Sequence, residues 1–143
     1  MKILAVDYGD SRTGLAVCDP GEVLATPLKP QIEEKAMAKV AARVCEAAKE
    51  HRAEMIVVGL PRNMDGTEGV RAKKSRKLGE LLTDMSGLPV RMWDERQTTI
   101  TAAGFLSESG TFGKKRKAIL DAVSASVILE NYLAWRKHHP GEV

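Results

Sequence analysis

Apolar residues in this chain fall into short runs and longer stripes, and the switch between the two predicts its elements. Ile3-Leu4-Ala5-Val6 and Leu15-Ala16-Val17-Cys18 are compact runs of strand formers. The segment between them, Asp7-Tyr8-Gly9-Asp10-Ser11-Arg12-Thr13-Gly14, carries turn chemistry in its glycines and aspartates, so the pair predicts a hairpin. Val23-Leu24-Ala25-Thr26 predicts a third short strand, closed by Pro27 and Pro30 because proline donates no ladder hydrogen bond. From Gln31 to about His51, Ile32, Ala36, Val40, Val44 and Ala47 recur at three- and four-residue spacing, the stripe of an amphipathic helix. Met55-Ile56-Val57-Val58 has no polar break, as expected of a strand covered on both faces, and leads into a polar loop from Gly59 to Gly69. Leu78, Leu81 and Leu82 mark a helix from Val70 to about Met85, ended by Gly87 and Pro89. Pro89 to Trp93 reads as a shorter strand running into Asp94-Glu95, Thr98 to Leu106 as a short helix, and Ala118 to Trp135 as a long, mostly apolar helix.

Three leading strands followed by alternating helices and strands predict an α/β fold, a mixed sheet with helices on its faces. In such sheets, sites gather outside the carboxyl ends of the parallel strands. Asp7, the Gly59 loop and Asp94-Glu95 all stand at such ends. With 143 residues the chain can bury a core without staples, which predicts one domain over residues 1–137 and a polar tail over 138–143. Aromatic residues make up only 4%, so that core must be mainly aliphatic. Cys18 and Cys45 lie in apolar segments without CxxC spacing and read as reduced core residues. The first apolar run is too short for a signal peptide and no stretch reaches membrane-spanning length, so the expectation is a cytoplasmic chain with no membrane partner.

A net charge of +3 is modest, but its distribution changes the picture. Arg71, Lys73, Lys74, Arg76 and Lys77 share one segment, and Lys114, Lys115, Arg116 and Lys117 are consecutive. Each cluster reads either as a solvated surface or as a contact for a polyphosphate.

The acids narrow the choice. Asp7 suits a turn, yet it also ends a buried strand. Asp121 is the only charged residue between Ala118 and Leu129, and it shares a helical face with Ala118, Ala125 and Ile128. An ionised acid there needs a basic partner, hydrogen bonds, a raised pKa or a metal ion. Asp94, three residues before Gln97, suits an N-cap, which leaves Glu95 to face the end of the sheet. Asp7, Glu95 and Asp121 together would make an all-oxygen site suited to Mg²⁺ or Mn²⁺. Zinc is disfavoured, because His138 and His139 lie in the tail and His51 at a helix end. Carboxylate-held metal beside basic clusters points to phosphodiester hydrolysis, with Arg12 available for a phosphate.

These residues coincide with a known pattern. Leu4-Ala5-Val6-Asp7-Tyr8-Gly9 with Arg12 to Ala16, Val58-Gly59-Leu60-Pro61 with Asn63 and Asp65-Gly66-Thr67, Asp94-Glu95-Arg96 with Thr98-Thr99 and Ala102, and Lys114-Lys115 with Asp121, Ala122, Ala125 and Ile128-Leu129 follow one another along the chain. In these blocks the chain closely resembles the pre-16S ribosomal RNA nuclease family, also called Holliday-junction-resolvase-like proteins of the YqgF/RuvX group. The resemblance implies a ribonuclease H-like fold, a five-stranded mixed sheet flanked by helices. It implies a divalent-metal site on Asp7, Glu95 and Asp121, with substrate approached by Arg12, by Arg62, Asn63, Asp65 and Gly66 of the Gly59 loop, and by the run Lys114, Lys115 and Arg116. It further implies a nucleic-acid partner, pre-16S rRNA or branched DNA, work on ribosomal precursor particles, and a monomer or homodimer. The uniformly basic Arg71 to Lys77 segment departs from the family's usual pattern.

Overall fold

Ile3–Tyr8 forms β1, whose residues Ile3, Leu4, Ala5 and Val6 are wholly buried because the strand occupies the middle of the sheet. The computed structural model describes the chain except residues 64, 96–112 and 140–143, and gives no side-chain description for residues 29, 30 and 113–123. Thr13–Cys18 (β2) returns antiparallel to β1, and Ala25–Ile32 (β3) returns antiparallel to β2. Met37–Glu50 (α1), Met55–Leu60 (β4), Val70–Ser86 (α2), Val90–Asp94 (β5) and Gly113–His138 (α3) follow. β4 lies parallel to β1, and β5 parallel to β4, so the five-stranded sheet has the order β3-β2-β1-β4-β5.

Several boundaries differ from the sequence reading, each for a physical reason. β3 runs through both prolines instead of stopping at Pro27. It is an edge strand, where a missing N–H need not break a ladder, and its register shifts between Thr13 and Leu15 of β2. Ile32 therefore belongs to that strand, opposite Thr13, and α1 starts at Met37, not Gln31. α3 begins at Gly113, which makes the basic run part of the helix, since Lys and Arg are good helix formers. It ends at His138, with Arg136, Lys137 and His138 in the last turn, where positive charge suits the helix dipole. The short helix expected over Thr98 to Leu106 lies outside the described residues, as does the N-cap role of Asp94 toward it.

Strand alternation sorts the core into two layers. Leu4, Val6 and Tyr8 of β1 join Leu15, Val17, Ile56 and Val58 under Val40, Val44, Leu78 and Leu82 of α1 and α2. Ile3 and Ala5 join Ala16, Cys18, Met55, Val57 and Trp93 under Ala125, Ile128, Leu129 and Tyr132 of α3. Cys18 is buried, Cys45 is half-buried, and both are free. Among the described residues no helix is long and apolar enough to cross a membrane.

Candidate active site

Asp7 is a strand residue, not a turn residue: it lies within β1, opposite Gly14 of β2. Because Ile3 and Ala5 face α3, the two-residue period of the strand puts Asp7 on the same face. The same rule places Asp94, the last residue of β5. Trp93 faces α3, and Asp94 turns to the other side, where its carboxylate lies 3.9 Å from the Arg62 guanidinium. Glu95, in the turn that follows the strand, lies on the α3 side against Gly59 of β4. A Cβ on Gly59 would sit 3.2 Å from the Glu95 carboxyl carbon, 3.3 Å from its Oε2, and 2.7 Å from Ile128 Cδ1. Burial pushes the Glu95 carboxyl above the usual carboxylate range, Arg71 opposes the shift and Asp94 reinforces it.

The direction of α3 follows from two contacts. Ile128 packs on Gly59 at the far end of β4, and the Tyr132 hydroxyl reaches Met55 Sδ, 3.7 Å away, at its start. The helix thus runs antiparallel to β4. Asp121 is seven positions before Ile128 in α3, and its side chain lies outside the described residues, as do those of Lys114, Lys115 and Arg116. Among the described residues no three His, Cys, Asp or Glu converge on a metal-sized site.

The loop after β4 organises itself. Asp65 Oδ1 accepts from the Thr67 amide at 3.0 Å and from its hydroxyl at 2.6 Å, and Asn63 Nδ2 donates to that hydroxyl at 2.9 Å. Gly66 takes φ 90°, a left-handed conformation that glycine adopts without strain. Asn63, Asp65 and Gly66, expected at the substrate, thus also shape the loop. Arg62 contacts Glu68 at 3.3 Å as well as Asp94, and Arg76 grips Glu68 with two bonds of 2.6 and 2.7 Å. The Arg76 hydrogen bonds hold the Glu68 carboxyl below its ordinary range. Arg12 sits in the β1–β2 turn with Nη1 buried and without a hydrogen-bond partner, and Arg62 Nε is in the same state. A side chain at Gly9 would collide with the Arg12 carbonyl, so the turn that carries Arg12 is closed tightly on that glycine.

The basic segment of α2 is partly spoken for. Lys74 pairs with Asp10 at 3.3 Å, Arg76 with Glu68, and Arg71 acts electrostatically on Glu95. Lys73 and Lys77 are exposed on the outer face, with Glu80 and Asp84 beside them at helical spacing. The sequence reading grouped all five as one patch and missed their partners Asp10 and Glu68, which no local spacing links to them. It also missed Gly59 as a packing surface for Glu95.

A family model described as RuvX, Holliday junction resolvase, matches residues 1–135. The chain belongs to this family. Among its RuvX relatives, a protein of Ruminiclostridium cellulolyticum named "Putative pre-16S rRNA nuclease" is 37% identical over 133 residues, 93% of this chain and 94% of the relative. A Listeria monocytogenes protein of the same name is 40% identical over 134 residues, 93% and 97% of the two chains. Of solved structures, Thermus thermophilus RuvC in complex with a Holliday junction substrate superposes with a TM-score of 0.63 at 17% identity, covering 97% of this chain and 96% of that one. This RuvX-family chain therefore has the ribonuclease H-like fold that its sequence led us to expect, and its family is one of nucleases.

Proposed function

We propose that this chain is a divalent-metal-dependent nuclease that hydrolyses phosphodiester bonds in the 5′-end maturation of pre-16S rRNA, working in the cytoplasm on ribosomal precursor particles. The observation that carries the chemistry is the placement of Asp7 and Glu95 on one face, at the carboxyl ends of β1 and β5, with Glu95 lying in the hollow left by Gly59. The RNA substrate is supported by relatives of that name over nearly the whole chain.

The donor set fits a hard cation such as Mg²⁺ or Mn²⁺. It offers carboxylate oxygens alone, and the antiparallel run of α3 leads its earlier residues toward the same end of the sheet, so that Asp121 can complete the set. A bound cation would supply Lewis-acid polarisation of the phosphate and a more acidic water. The residues of the chain do the rest. Arg12, with an unpartnered nitrogen, can take a phosphate oxygen. The run Lys114, Lys115 and Arg116 can hold the backbone without reading its sequence. Arg62 stays beside Asp94 and Glu68, fixing the loop against the end of β5.

The test is a cleavage assay of wild type and Asp7→Asn with Mn²⁺ on pre-16S RNA, generic single-stranded RNA and a four-way DNA junction. Wild type is expected to cut the precursor near its mature 5′ end, and Asp7→Asn to lose cutting while keeping RNA affinity. The family description supports a second reading, resolution of branched DNA. Paired nicks in opposing strands of the junction by a symmetric dimer, without precursor cleavage, would select it. Unchanged activity of Asp7→Asn would overturn both.

A further inference from the structure

Glycine is a poor strand residue, because it has no side chain to pack and loses more backbone entropy than any other on ordering. Yet Gly59 stands inside β4, a fully buried strand, paired with Trp93 of β5. Its neighbours explain the choice. The volume that a Cβ would fill is bounded by two unlike groups: Ile128 Cδ1 of α3 at 2.7 Å, and the Glu95 carboxyl at 3.2 to 3.3 Å. The first is the free end of a flexible side chain and can swing aside. The second is a carboxyl group that burial already disfavours in its charged form, and it would have to move.

We propose that Gly59 is a positioning residue for Glu95: its missing side chain lets the carboxyl lie directly against the β4 backbone, while Ile128, packed on the same glycine, sets how close α3 comes to that carboxyl. The proposal rests on the reading of Glu95 as a metal ligand. It also gives the α3 register a job, since the helix that contacts Glu95's cradle through Ile128 is the helix that carries Asp121. One apolar contact thereby indexes two acids from distant parts of the chain to each other.

The two neighbours make the idea separable from simple packing. In Gly59→Ala the new methyl meets both groups. In the double variant Gly59→Ala, Ile128→Val the clashing Cδ1 is gone, and the contact with Glu95 remains. Mn²⁺ binding by calorimetry and the thermal unfolding midpoint of the metal-free protein are measured for wild type, both of these, Ile128→Val and Glu95→Gln. Gly59→Ala should lower the midpoint and weaken Mn²⁺ binding about tenfold, within the range seen when groups that orient ligands are disturbed. The double variant should regain most of the midpoint and none of the Mn²⁺ affinity. Recovery of both together means that the glycine serves packing alone, and overturns the proposal; so does a Gly59→Ala protein that binds Mn²⁺ like wild type. If Glu95→Gln binds Mn²⁺ as wild type does, the ligand reading of Glu95 fails first and the proposal with it.

Discussion

The two faces of the sheet start from the same aliphatic alternation and finish differently. Under α1 and α2 the layer is mainly aliphatic, with Tyr8 at the end of β1, and the polar groups near its loop end, Glu68, Arg62, Arg76 and Asp94, neutralise one another. Under α3 the layer is aromatic beneath the later turns of the helix, where Tyr132 meets Trp93 edge-on with centroids 5.5 Å apart and Trp135 stacks between Tyr132 and His139. Past Ile128, at the carboxyl ends of β1, β4 and β5, it gives way to Asp7, Gly59 and Glu95. One face is packed along its length. The other packs the later turns of its helix on aromatic rings and ends in the carboxylates proposed to hold the cation, so the proposed site begins where the apolar layer stops.

The largest effect expected from this division is on the purely structural face. Leu82 of α2 is wholly buried, so Leu82→Ala should remove about 3 kcal/mol of stability in urea unfolding, through the missing apolar burial and the cavity left behind. Cleavage per folded molecule, measured well below the midpoint, should match wild type. A loss of activity beyond the unfolded fraction would break the separation of the two faces.

Next in size is the anchor at the far end of α3. Glu22 stands at φ 58°, left-handed for a residue with a side chain, and accepts from Arg136 Nε at 2.7 Å, with the Met1 ammonium 3.3 Å away. The Arg136 hydrogen bond holds the Glu22 carboxyl below its ordinary range, and the ammonium adds to this. Because the folded pKa is depressed, the stability from this pair is complete above the unfolded value and is lost as the pH falls through the folded one. Glu22→Gln should therefore cost about 1 kcal/mol near neutrality, an ordinary value for a partly exposed pair. The gap from wild type should narrow as the pH drops below 4.5, the ordinary value of the group. A gap that stays constant from pH 7 to 3 would remove the ion pair as its cause.

The smallest effect should distinguish the two basic clusters. Lys73→Gln with Lys77→Gln should barely change the slope of RNA affinity against salt, since these residues share their face with Glu80 and Asp84. Replacing Lys114, Lys115 and Lys117 by glutamine should flatten that slope by up to about one unit for each phosphate no longer neutralised. Equal slopes for the double and the triple variant would erase the distinction.

Much of this was legible in the residues. The unbroken apolar runs located β1, β2 and β4, and the strand-end acids followed from them. The preference for Glu95 over Asp94 rests on an N-cap role for Asp94 toward residues outside the described ones, whereas the alternation that turns Asp94 away from α3 needs the bounds of β5. Other features had no local signal. Pro27 reads as a stop wherever an edge position is unknown, and only the strand order shows that β3 is an edge. The basic run before Ala118 reads as a loop until α3 is seen to extend over it. Lys74 finds Asp10 and Arg76 finds Glu68 through the fold, outside any helical spacing. Gly59 looked like the opening of a loop, whereas it stands inside β4 against Ile128 of α3 and the Glu95 carboxyl.

The central claim, that Asp7 and Glu95 form one cation site at the open end of the α3 face, is tested most directly by titrating Mn²⁺ into folded wild type, Asp7→Asn and Glu95→Gln in a calorimeter. Wild type should bind, and each amide variant should bind at least about 100-fold more weakly, more than the loss typical of groups that only support a ligand. Either variant, still folded, binding Mn²⁺ as tightly as wild type would contradict the account.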